Sequence, residues 1–72
     1  MLTPRYVQDS ETLIKAAKRI LNYRKDVTAA DQLEEARVGI ARVRSAIKQR
    51  SAPAVKEAEK PLVEVLTKID PP

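Results

Sequence analysis

Leu33, Ala36, Ile40, Val43 and Ile47 recur at intervals of 3, 4, 3 and 4 residues. That spacing places all five on one side of an α-helix and scatters them over both faces of a strand. No stretch of the chain alternates apolar and polar residues, so nothing in it reads as a β-strand. The rest is rich in Ala, Leu, Glu, Lys, Arg and Gln, which are good helix formers. The fold class that follows is all-α.

Two further apolar stripes flank this seam. In the first, Tyr6, Leu13, Ala17 and Ile20 run with Val7, Ile14 and Leu21 beside them. Lys15, Lys18 and Arg19 fall largely off that stripe. In the third, Val55, Ala58, Leu62, Val65 or Leu66, and Ile69 keep the same period. Thr3-Pro4 is a start signal for the first helix, with Thr3 as N-cap and Asp9 or Ser10 as rival starts. Thr28-Ala29-Ala30-Asp31 resembles a capping box for the second, with Asp replacing the usual Glu. Ser51-Ala52-Pro53 breaks the chain and restarts it, with Ser51 as cap and Pro53 in the first turn. Pro71-Pro72 stops the third helix.

The expected architecture is one small domain over residues 1–72. It is a three-helix up-down-up bundle with helices at about 4–25, 29–50 and 53–69. Pro61 falls inside the third, where it has no N–H for the carbonyl of Glu57 and costs about 3 kcal/mol. The third helix is therefore expected to be kinked or broken at Pro61, a kink being favoured because the apolar period keeps its phase. Gly39, inside the second, should cost roughly 1 kcal/mol relative to Ala. Its place beside Ile40 would allow a close approach by a neighbouring helix. Tolerance at a solvated position is the simpler account.

Several kinds of chemistry are closed to this chain. It has no Cys and no His. Disulfides, thiolate sites, a zinc site and a histidine dyad are excluded. No Gly-rich phosphate loop occurs, and no cofactor or metal is expected. Glu34-Glu35 and the Glu57/Glu59 pair diverge around their helices instead of converging. Ser10, Ser45 and Ser51 lie in no nucleophile elbow. Ser45 and Lys48 match the spacing of a serine–lysine pair, but Lys48 would need burial and the seam puts Ile47 at the core. No catalytic residue is assigned. No apolar run approaches the ~20 residues that span a bilayer, nor has the start of the chain a signal-peptide core.

The net charge is +4, distributed as +3 over residues 1–27, +2 over 28–50 and −1 over 51–72. Arg37, Arg42, Arg44, Lys48 and Arg50 make the second half of the second helix cationic. Nucleic-acid binding is nonetheless disfavoured, since Glu34 lies near that side and a helix-turn-helix turn is missing. An anionic membrane surface is a comparable partner. Residues 20–27, ILNYRKDV, set Tyr23 beside Arg24 and Lys25. Helix-end chemistry explains most of this stretch, since cations in a last turn oppose the negative end of the helix dipole. An aromatic beside two cations is also the best candidate for an exposed anchor, so Tyr23, Arg24 and Lys25 form the candidate interaction surface.

Together with Leu33 and the segments VRSAIKQR, APAVKEA and LVEVL, this corner resembles the cytosolic N-terminal extension of some bacterial type I signal peptidases. The likeness runs over about residues 5–72. It implies a short helical module preceding a membrane anchor, on the cytoplasmic side of the bacterial inner membrane. The parent would be a serine endopeptidase that cleaves signal peptides. That family's serine and lysine motifs lie beyond the anchor and none occurs here, so this chain alone would not be an enzyme. Pro61 departs from the uninterrupted third helix such an extension is expected to have. What is implied is an interaction or spacer module with an unknown protein partner. The alternative is an independent basic module for nucleic acid or anionic membrane, in the cytoplasm.

Overall fold

A computed structural model describes residues 2–72. Three helices follow in order: α1 (Arg5–Arg24), α2 (Ala30–Lys48) and α3 (Ala52–Ile69), with a 3₁₀ turn at Lys25–Val27 after α1. There is no strand among the described residues, and the all-α three-helix fold is that expected from the apolar periods. Short connections force neighbouring helices antiparallel, so α1 and α3 run parallel. Contacts at both levels show it, with Ser10 meeting Glu59 low in the bundle and Arg24 meeting Asp70 at its top. The result is a rod of 40 × 18 × 18 Å.

The core draws on each stripe. Ile14 and Ala17 come from α1, Ala36, Ile40 and Val43 from α2, and Leu62, Val65, Leu66 and Ile69 from α3. Leu13, Ile20, Leu21, Ile47 and Ala58 are half-buried around it. With neither Phe nor Trp, the core is aliphatic, and small residues at its contacts let the helices come together. Ser10, Ala17 and Ala36 have no exposed surface at all.

Gly39 is the sharpest instance, and it corrects the expectation of a solvated, merely tolerated glycine. It is buried, and it faces Leu62 of α3. A Cβ built there would lie 3.1 Å from Leu62 Cδ1 and 3.3 Å from its Cβ. The missing side chain is what lets α2 and α3 approach closely, and these two helices form the tightest pair in the bundle.

Helix ends differ from expectation at two of three starts. Pro4, with ψ of 147°, is itself the N-cap of α1. Its carbonyl accepts from Val7 and Gln8 N–H, while Thr3 lies outside and accepts from Gln8 Nε2 at 3.1 Å. Ala29 caps α2 without a side-chain bond. Thr28 is turned the other way: its Oγ1 donates to the carbonyl of Arg24 at 2.6 Å, satisfying a group that α1 leaves unpaired at its end. Ser51 caps α3 as expected, its Oγ accepting from Ala54 N–H at 3.3 Å. Between α2 and α3, Arg50 takes the left-handed conformation at φ 56°, where glycine is the usual residue.

α3 is not broken at Pro61. It runs unbroken from Ala52 to Ile69. Pro61 and Glu57 are both exposed, Pro61 at the edge of the α2/α3 contact near Val38 and Gly39, and the carbonyl of Glu57 that lacks a helical donor can turn to water. Leu62 and Val65, one and four residues further on, are fully buried and stay in register with the core.

Candidate interaction surface

The corner expected to act as one unit is divided between two structures. Tyr23 and Arg24 lie in the last turn of α1, and both reach across to Asp70, just past the end of α3. The Tyr23 hydroxyl donates to Asp70 Oδ2. Arg24 Nε donates to Asp70 Oδ1 at 3.1 Å, and its Nη2 lies 3.0 Å from the same oxygen. One carboxylate thus receives a phenol on one oxygen and the guanidinium on the other.

The titration of both acidic groups follows from this arrangement. The hydrogen bond from Tyr23, followed by that from Arg24, holds the Asp70 carboxyl below its ordinary value. The bond to Asp70 pushes the Tyr23 phenol above its ordinary value, since losing the proton would leave two anions face to face. Half the Tyr23 surface remains in solvent, at 56%, but its polar tip is already occupied. The corner therefore acts first as a clamp between α1 and α3. Asp70 was not anticipated as its third member. Its only signal in the sequence is an acid just past a helix end, 46 positions from Arg24.

Lys25 lies apart from the clamp. It falls in the 3₁₀ turn, is exposed, and joins the lining of an open groove between α1 and α2. The groove encloses about 680 Å³. Lys18 and Lys25 stand along it on the α1 side, and Arg37, Arg44 and Lys48 on the α2 side. Leu21, Ile40 and Ala41 supply its apolar surface. A second hollow continues from it along Lys18, Arg44 and Lys48 to Lys15, Ile47 and Glu11.

Helical spacing explains how two separate segments build one surface. Lys18 and Lys25 are seven residues apart, with Leu21 between them on the same side. Arg37, Arg44 and Lys48 are seven and four apart, with Ile40 and Ala41 between. Each helix carries a cationic row next to apolar residues. The only acid in reach of these cations on their own helix is Glu34, whose Oε2 is 3.9 Å from Arg37, in an exposed pair that contributes little. Arg42 is outside the groove. It sits over the opposite side of α2, among Asp31, Glu34 and Glu35.

The remaining chemical candidates are placed as follows. Ser45 and Lys48 both line the groove and both are exposed, so the burial that a serine–lysine pair needs is absent. Ser10 is wholly buried and its Oγ donates to Glu59 Oε2 at 2.9 Å. A hydroxyl with no exposed surface cannot meet a substrate, and the bond reads as a polar tie between α1 and α3. Among the described residues no group of acids is arranged to hold a metal ion, and no helix is long and apolar enough to cross a membrane.

A scan against protein-family models finds no match, and neither the curated proteins nor the solved structures contain a chain detectably similar to this one.

Proposed function

We propose that this chain is a non-catalytic interaction module, and that it serves as the cytosolic N-terminal extension of a membrane-bound type I signal peptidase. The observation that supports an interaction role is the α1/α2 groove. Cations from two helices line one apolar surface, and the one ion pair among these described residues is the weak, exposed contact of Arg37 with Glu34. The parent is proposed on the likeness of the corner and of the segments after it to such extensions. Peptide-bond cleavage would belong to a part of the parent outside these residues. A module tethered at a membrane meets its neighbours at an effective concentration near ~1 mM, so a modest interface suffices.

The test of the parent is its size and location. An antibody raised against the folded chain should detect, in fractionated source cells, a product much larger than 8.1 kDa that pellets with the inner membrane. A product of 8.1 kDa in the soluble fraction would overturn the parent. The cationic rows also favour a second reading, an independent basic module for nucleic acid or anionic membrane. Its mark would be affinity that falls steeply with salt.

A further inference from the structure

We infer that the α1/α2 groove is a docking site for an acidic amphipathic helix of another protein. The apolar side of that helix would cover Leu21, Ile40 and Ala41, and its flanking carboxylates would meet Lys18 and Lys25 on one side and Arg37, Arg44 and Lys48 on the other. The inference rests on the reading of this chain as an interaction module, and it supplies that module's partner chemistry.

Charge alone does not describe the groove. A ligand that offers only phosphates would neutralise the cations and leave the apolar surface wet. Single-stranded nucleic acid would seek an aromatic platform for its bases. The groove has none, and the nearest ring, Tyr23, is bonded to Asp70. A membrane-binding face needs apolar side chains that project beyond its cations. Here the cationic side chains are long and exposed, whereas Leu21 is half-buried, Ile40 is 7% exposed and Ala41 is short. Apolar surface set below cations on both sides fits a ligand with an apolar ridge and acidic flanks, which is the form of an amphipathic helix.

The dimensions agree. From Arg37 to Lys48 along α2 the rise is about 16 Å, which matches about three turns of a bound helix. A helix laid there would turn the three-helix bundle into a four-helix one, covering a side that three helices leave open. Each end of the groove also carries one acid, Glu34 beside Arg37 and Glu11 beside Lys15 and Lys18, so the cations between them outnumber the acids along its length. The carboxylates of the occupant belong opposite Lys18 and Arg44, midway between those two acids.

The experiment uses a fluorescent synthetic peptide of about 14 residues, with Leu at i, i+4, i+7 and i+11 and Glu on both flanks. Its anisotropy is followed as the chain is added. Saturable binding is expected, with the same composition in scrambled order weaker by at least about tenfold. The double variant Lys18→Glu/Arg44→Glu should weaken binding by at least about tenfold, and Ala41→Trp, which fills the groove, by a similar factor. Lys56→Glu/Lys60→Glu, which reverses two exposed cations on α3, should leave it within about twofold. Circular dichroism checks that each variant folds, and if the double variant does not, Ala41→Trp decides. Equal binding of the scrambled peptide, or an equal loss in the α3 variant, would reduce the groove to general charge attraction and overturn the inference. So would absence of binding at millimolar chain. Tighter binding of duplex DNA, or of phosphatidylcholine vesicles carrying phosphatidylglycerol, would replace it with the other partner class. A small soluble product in the fractionation test would remove the parent and leave these peptide results standing.

Discussion

Gly39 and Ala41 lie two residues apart on α2 and face different neighbours. Gly39 is pressed against Leu62, with less room beyond its Cα than an ordinary methyl group needs. Ala41 is exposed and opens on the groove beside α1. The α2/α3 side puts its apolar surface into the core, and the α1/α2 side keeps part of its own open to solvent under a row of cations. Close packing and an open cationic groove thereby fall on different sides of a single helix. The pattern teaches that a small chain without large aromatics gains its core by close approach, and close approach on one side leaves a gap on the other.

The largest test of that division is on the packed side. Leu62→Ala should cost about 2–5 kcal/mol, because the side chain is fully buried where two helices meet. A loss below ~1 kcal/mol in urea unfolding would mean that α3 is not held by this contact. Next is the same residue placed on each side. Gly39→Leu should cost about 1–3 kcal/mol by forcing α2 and α3 apart, whereas Ala41→Leu should stay within about 0.5 kcal/mol of the parent chain. Equal effects from the two would erase the contrast between the sides.

A gain is expected at the exposed Pro61 of α3. Pro61→Ala restores an N–H for the carbonyl of Glu57 and should add about 1–2 kcal/mol, offset in part by the greater freedom of the unfolded chain. A loss would mean that the local shape imposed by Pro61 is needed for the α2/α3 contact.

The smallest effect concerns the clamp, and it is read by pH. Asp70 is held below its ordinary value, so its contribution is present above about pH 4 and is lost as pH falls through the lowered value. Tyr23 is raised, so its contribution is present below about pH 10 and is lost as pH rises through the raised value. The difference in melting temperature between the parent chain and Asp70→Asn should narrow in acid. That between the parent chain and Tyr23→Phe should narrow in alkali. Differences that stay flat across both windows would remove the clamp from the stability of the fold.

What could be read from the sequence follows the range over which its signals act. The apolar periods are local, and Ala36, Ile40, Val43, Val55, Leu62 and Ile69 are buried where those periods place them. Ser51 needed only the next three residues to act as a cap. Thr28 misled because two carbonyl and amide partners compete for one hydroxyl, and the 3₁₀ turn brought the Arg24 carbonyl nearer. Gly39 was misjudged because a glycine shows no period, and only the position of Leu62 reveals its purpose. The clamp and the groove are both non-local. Arg24 to Asp70, and Lys18 to Arg44, become neighbours through topology, so the cations were visible in the sequence and their convergence was not. Of Tyr23, Arg24 and Lys25, the structure keeps only Lys25 on the groove.

The clamp has a mechanical consequence. Arg5 and Asp70 lie at opposite poles of a 40 Å rod, since α1 and α3 run parallel. Tension applied between those poles shears α1 against α3, and two polar ties between them share it: Ser10 to Glu59 near one end, and the guanidinium and phenol to Asp70 at the other. α2 takes part in neither tie. A stretched molecule would therefore load both ties at once, and losing either would leave the other to resist the sliding of α1 past α3.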